Sequence, residues 1–241
     1  MQQLGLLPIN IGCRSHVQRA ISAQMNRSVG KLVRTILGPR LFAPLGRIYR
    51  GFFVDLEQVV DCLPPLAPNA TVLEIGGGDG QLMNALLGRY PGLHATMIDI
   101  SATVGQALRP ELRQRVVCLP NTHLADYVPS SPPHLIILSD VVHHIAPEQR
   151  PQFFSELAPF LANPSTLLAI KEVRPGSFKA RLALGADHHI SGERQVRFLN
   201  EAELETLVRK AMPGIAHRAT NLVKRDPPNY CTLFGHQGLT S

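Results

Sequence analysis

A chain of 241 residues is long enough to bury one core of ordinary size, and 44% apolar with 17% charged residues excludes an intrinsically disordered protein. No apolar run reaches the roughly 18 residues of a membrane span. The four scattered cysteines, Cys13, Cys62, Cys118 and Cys231, contain no C-x-x-C pair, which argues against a zinc site or a disulfide framework. The net charge of +6 is carried by one end: residues 1–54 hold eight Lys or Arg and no Asp or Glu, while the rest of the chain is slightly acidic.

The opening LGLLPINIGC is not expected to act as a secretion signal. It lacks a basic leader, Pro8 interrupts a short apolar run, and Asn10 stands where a lipoprotein signal requires leucine. With no disulfide framework, a cytoplasmic location is expected. Residues 14–37 place Val17, Ile21, Met25, Leu32 and Ile36 at helical spacing, and Gly38-Pro39 ends that run. A second helical stretch, about 45–62, carries Ile48, Phe52, Phe53, Leu56, Val59 and Val60. The three prolines of LPPLAPNA then break the chain, so the reading divides it into a helical segment at 1–65 and a second domain at 66–241.

From there strands and helices alternate. The pattern predicts strands at Thr71–Ile75, His94–Ile98, Arg115–Leu119, His134–Leu138 and Thr166–Val173. Helices are predicted at Gln81–Leu87, about 148–161, and 200–211. Two late segments, Ile215–Val223 and Asn229–His236, are expected to pair as an antiparallel hairpin across Lys-Arg-Asp-Pro-Pro. Alternation of this kind implies a mostly parallel sheet covered on both faces, with ligands bound at the carboxyl ends of its strands.

The first strand runs into Glu74-Ile75-Gly76-Gly77-Gly78-Asp79-Gly80. Glycines here let bare backbone approach a ligand where a Cβ would collide. The spacing excludes two familiar loops: the sixth position from Gly76 is Gln81, so G-x-G-x-x-G fails, and no Gly-Lys-Ser/Thr follows for a phosphate loop. Asp99 closes the second strand, where an acid can accept hydrogen bonds from the two ribose hydroxyls of a nucleoside. This E-x-G-x-G-x-G loop resembles the first motif of the class I S-adenosylmethionine-dependent methyltransferases, of the small-molecule type, and the resemblance continues through the next three strands. It implies a Rossmann-like three-layer sandwich: a mostly parallel seven-stranded sheet with a C-terminal antiparallel hairpin, preceded by an N-terminal helical lid. It also implies that Gly76, Gly77, Gly78 and Gly80 lie against the methionine portion of S-adenosylmethionine, that Glu74 orders the loop, and that Asp99, with Ile100 beside it, holds the ribose. After the third strand, Asn121 and Thr122 occupy the adenine end, with Asn121 where the family often has an acid.

The segment Ser139-Asp140-Val141-Val142-His143-His144-Ile145 resembles the family's fourth motif, which lies beside the transferable methyl group. Asp140 is assigned to the cofactor side. His143 and His144 are candidate proton acceptors, because an imidazole titrates near neutrality; packing against the nucleoside is the alternative. Glu172, at the end of the fifth strand, either orients a substrate or makes a surface ion pair with Lys171 or Arg174. Asp187-His188-His189 in a later loop is not expected to bind metal, and no metal is expected elsewhere. Asp226-Pro227-Pro228-Asn229-Tyr230 reads as a hairpin turn rather than as the D-P-P-Y motif of amino methyltransferases, because it does not stand at the end of the fourth strand.

The expected reaction is methyl transfer to an oxygen, nitrogen or activated carbon of a small molecule. An RNA methyltransferase is the alternative raised by the basic end, although aromatic and basic residues are not interleaved there as a stacking platform, so nucleic acid is not the favoured partner. A non-catalytic cofactor-binding scaffold is the third reading. Tyr49, Phe52 and Phe53 are candidate walls of the lid, and the basic segment suits docking to an acidic carrier protein or an anionic membrane surface.

Overall fold

The computed structural model describes residues 55–175, 197–223 and 229–237. The two N-terminal helical stretches up to Val54, including Tyr49, Phe52 and Phe53, lie outside the described residues, as do Asp187-His188-His189 and the hairpin turn at 224–228.

The elements in chain order are α1 (Leu56–Asp61), β1 (Thr71–Ile75), α2 (Gln81–Arg89), β2 (His94–Ile98), β3 (Val116–Leu119), β4 (Leu135–Ser139), α3 (Arg150–Leu157), β5 (Leu167–Val173), α4 (Glu201–Ala211), β6 (Ile215–Val223) and β7 (Asn229–His236). Short 3₁₀ turns intervene at Pro110–Arg115, Leu124–Asp126, Val142–His144 and Ala158–Leu161. The sheet order is β3-β2-β1-β4-β5-β7-β6. The pairs from β3 through β5 are parallel, and β7 runs antiparallel to both β5 and β6. This is the Rossmann-like sheet with its C-terminal hairpin that the sequence implies. The predicted strand boundaries hold to within a residue, and the 148–161 helix divides into α3 and the 3₁₀ turn at Ala158–Leu161.

Side-chain alternation along the central strands splits the core into two layers. Val72, Leu135, Ile137 and Ala169 face one side, with α1 and α2. Leu73, Ile136, Leu138, Leu168 and Ile170 face the other, with Phe154 and Leu157 of α3 and Leu204 and Val208 of α4. Both faces are dry, which is why β4 reads as an unbroken apolar run. α1, read from sequence as part of the N-terminal segment, contributes Val59 and Val60 to the first layer. α4 begins with a reciprocal capping box: the Asn200 side chain accepts from the Glu203 N–H, and the Glu203 carboxylate accepts from the Asn200 N–H. Among the described residues, no helix is long and apolar enough to cross a membrane.

β1 is joined to β2 on one side and β4 on the other, so the chain reverses its direction of travel across the sheet between them. The crevice at the carboxyl ends of β1 and β4 is where such a fold binds its ligand.

Candidate active site

The glycine loop leaves β1 in a conformation that side chains resist. Gly76, Gly78 and Gly80 have φ of +72°, +52° and +87°. A Cβ on Gly76 would stand 2.6 Å from Val141 Cγ2, so the loop is pressed against the turn that follows β4. At Gly78 the same atom would meet nothing among the described residues nearer than the Gly76 carbonyl at 4.0 Å, so the loop opens there into a bare cradle. The bonds that order the loop come from β2 and its end: the Ile98 carbonyl accepts from Gly76 and Gly77, and the Asp99 carboxylate accepts from the Gly78 N–H at 2.9 Å. Its second oxygen accepts from the Ser101 N–H at 2.8 Å.

Glu74 lies beneath the loop, 3% exposed, and among the described residues nothing hydrogen-bonds its Oε2 atom. Burial, together with the charges of Asp79 and Asp99, pushes its carboxyl up to about 8. Beside that raised carboxyl, the carboxylates of Asp79 and Asp99 flank the backbone cradle, an environment that favours a cation. Ile100, next to Asp99, is 66% exposed and offers an apolar surface at the mouth. Asn121 and Thr122 are tied to the same corner: the Asn121 N–H donates to the Ser101 carbonyl and the Thr122 N–H to the Asp99 carbonyl. Asn121 has φ of +53°, in a turn that keeps it exposed beside Asp99. An orphaned buried carboxylate oxygen, a bare cradle, an acid and an exposed aliphatic side chain fit a nucleoside cofactor that carries positive charge, as S-adenosylmethionine does.

The turn after β4 supplies the rest. Asp140, at φ +58°, accepts from Lys171 Nζ through both carboxylate oxygens, at 2.8 and 2.6 Å. Burial favours the protonated form of Asp140, but the adjacent Lys171 ammonium outweighs it and holds the carboxyl below the usual carboxylate range. Lys171 is itself 1% exposed, so the pair is anchored from the inside.

His143 Nδ1 lies 2.5 Å from Glu172 Oε2, with both side chains buried. Glu172 Oε1 accepts from the Val142 N–H at 2.8 Å. Strand alternation places Lys171 and Glu172 on opposite faces of β5, and Glu172 is fully buried, so neither surface ion pair considered from sequence forms. Lys171 pairs with Asp140, and Arg174 pairs with Glu201. His144 is exposed, its ring 4.1 Å from that of His143. The Phe198 ring meets His143 edge-on at 4.9 Å.

The sequence-predicted residues therefore form two adjoining groups: Glu74, the glycines, Asp99, Ile100, Asn121 and Thr122 around the cradle, and Asp140, His143, His144 and Glu172 beyond it. Ligand-type atoms of Asp140, His143 and Glu172 converge within 4.8 Å, but Asp140 is engaged by Lys171 and Glu172 by His143 and the Val142 N–H. Sequence reasoning missed Lys171 as the partner of Asp140, and Phe198 altogether. A lysine inside an otherwise apolar strand was the available signal for the first; nothing in the sequence marked the second.

A family model described as a methyltransferase domain matches residues 50–211. No curated protein matches in sequence. Among solved structures, the mitomycin 7-O-methyltransferase MmcR superposes with a TM-score of 0.65 at 19% identity, covering 92% of this chain and 67% of that one. The O-methyltransferase NcsB1 from neocarzinostatin biosynthesis, solved with S-adenosyl-L-homocysteine and 1,4-dihydroxy-2-naphthoic acid, gives 0.65 at 20% identity, covering 92% and 66%. Human N-acetylserotonin methyltransferase, solved with SAM, gives 0.60 at 17%, covering 78% and 53%. At these identities the likeness is one of fold, and this chain spans between about half and two thirds of the length of those proteins. The matched family domain covers more than half of the chain and contains both the glycine cradle and the His143–Glu172 pair, so this protein belongs to the methyltransferase domain family.

Proposed function

We propose that this protein methylates a hydroxyl oxygen of a small molecule, using S-adenosylmethionine as donor and His143 as general base. The carrying observation is the buried His143–Glu172 pair beside the glycine cradle. An ionised carboxylate only accepts hydrogen bonds. Glu172 is fixed by the Val142 N–H and accepts from His143 Nδ1, so Nε2 is the ring nitrogen that would take the acceptor's proton. The hydroxyl proton passes to Nε2 as the oxygen takes the methyl group, and Glu172 stabilises the imidazolium that results. When bound, S-adenosylmethionine supplies an electrophilic methyl on a sulfonium; Gly76–Gly80, Asp99 and Ile100 would hold it.

A phenol, ionising near pH 10, is within reach of an imidazole base, and an unactivated alcohol much less so. Phe198, edge-on to His143, provides an apolar wall beside that base. The O-methyltransferase neighbours support the same acceptor chemistry. Docking of the N-terminal segment to an acidic carrier or anionic surface belongs to this reading on the strength of eight basic and no acidic residues in 1–54; a lid formed by that segment rests on its helical spacing, and a cytoplasmic location on the scattered cysteines. Charge reversal at Arg14, Arg19 and Arg27 tests the docking through salt-sensitive binding.

The experiment is incubation with methyl-labelled S-adenosylmethionine, a panel of phenols, a metabolite extract and total RNA. Label in a base-stable phenolic methyl ether supports the proposal. Label confined to RNA, or cofactor binding without turnover on any fraction, refutes it.

A further inference from the structure

Arg150 is placed against local rules. It is the first residue of α3, where the positive end of the helix dipole disfavours a cation. It is also only 4% exposed, and a buried guanidinium must recover its lost hydration. Among the described residues no carboxylate pairs with it. Its hydrogen bonds go instead to two backbone carbonyls: Nε donates to Ile145 at 2.9 Å and Nη2 to Arg197 at 2.7 Å. The Arg197 N–H in turn donates to the His143 carbonyl at 3.2 Å. The three bonds close a ring around the turn that carries His143, and the residue after Arg197 is Phe198, the side chain packed edge-on against the imidazole.

We propose that Arg150 is a positioning residue for His143: it clamps the 197–198 segment to the histidine turn, so that Phe198 on one side and Glu172 on the other hold the imidazole in one orientation. The planar fork of an arginine can reach two carbonyls on separate segments, which a lysine cannot do with the same geometry. Groups on catalytic turns must be held to within about 0.5 Å, and a displacement of about 1 Å far from the chemistry can cost 10²-fold. This inference rests on His143 being the base only for its kinetic consequence, since the clamp itself can be observed without turnover.

The test uses the full chain and the variants Arg150→Met, Arg150→Lys and Phe198→Leu, with Arg209→Met, an exposed change on α4, as control. Proton NMR should show a downfield resonance for the His143 Nδ1–H bonded to Glu172, assigned by its loss in His143→Gln. The expected result is a broadened or upfield-shifted resonance in Arg150→Met and Phe198→Leu, an intermediate one in Arg150→Lys, and the wild-type signal in Arg209→Met. S-adenosylmethionine affinity by calorimetry should stay within about twofold, while kcat on the phenol found above falls about 10–100-fold. An unchanged resonance in folded Arg150→Met or Arg150→Lys overturns the clamp. So does a parallel loss of cofactor affinity, which would make Arg150 a general scaffold residue. A resonance that responds as expected while His143→Gln retains full turnover supports the clamp and refutes His143 as base. If Arg150→Met does not fold, Arg150→Lys and Phe198→Leu decide the question by the same criteria.

Discussion

Gly76 and Gly78 stand two residues apart with similar backbone angles, yet their alanine variants should fail in different ways. Left-handed backbone costs an alanine about 1–2 kcal/mol at either site. At Gly76 the new methyl also lands 2.6 Å from Val141 Cγ2, and overpacking of that kind adds about 1–3 kcal/mol, for about 2–5 kcal/mol in all. At 2–4 °C per kcal/mol for a chain of this size, Gly76→Ala should melt roughly 4–20 °C below wild type and Gly78→Ala only roughly 2–8 °C below. Among the described residues the methyl of Gly78→Ala meets no atom closer than 4.0 Å, so its effect should fall on the cofactor. A loss of at least about tenfold in S-adenosylmethionine affinity, about 1.4 kcal/mol, is expected. Thermal melts of cofactor-free protein and calorimetric titrations check the two halves. The reasoning fails if Gly78→Ala binds the cofactor as wild type does, or if Gly76→Ala is no less stable than Gly78→Ala.

Four other variants probe the acids and their partners. Because the folded-state Glu74 carboxyl is raised to about 8 from an ordinary 4.5, the native state keeps a proton that the unfolded chain has lost between those values, and stability should fall as pH rises through that window. Glu74→Gln removes this dependence, so its advantage over cofactor-free wild type in urea melts should widen from pH 5 to pH 8 by up to about 1.4 kcal/mol per unit; a constant gap would sink the assignment. Asp140→Asn leaves the buried Lys171 ammonium unpaired and should cost about 3–5 kcal/mol, whereas Lys171→Met leaves only a part-exposed carboxylate and should cost less; the reverse order in denaturation would be incompatible with the ion pair as described. Glu172→Gln should lower turnover by about 10²–10⁴ with cofactor affinity nearly intact, because an amide cannot hold the Nδ1 proton as a carboxylate does; retained turnover would remove the pair from the mechanism.

Periodicity and punctuation were enough to locate the strands, because a strand buried on both faces must be apolar throughout and its ends must turn. The glycine spacing was legible for a related reason: backbone that is left-handed or pressed against Val141, Met97 and Leu108 excludes Cβ, and that exclusion is written residue by residue. Ion-pair partners were not legible in the same way. Lys171 and Glu172 are neighbours in sequence, yet one reaches Asp140, 31 residues away, and the other His143, 29 residues away, on the opposite face. Strand alternation says that they part, but only the β4–β5 register, with Ser139 opposite Lys171, says which partner each one meets. Arg150 and Arg197, 47 residues apart, met because α3 and α4 share one face of the sheet. Local sequence thus determined the elements and the glycine loop, since both are constrained within a few residues; the His143–Glu172 pair and the Arg150 bonds around it were decided by tertiary structure, because each bond joins segments whose proximity exists only once the sheet is ordered.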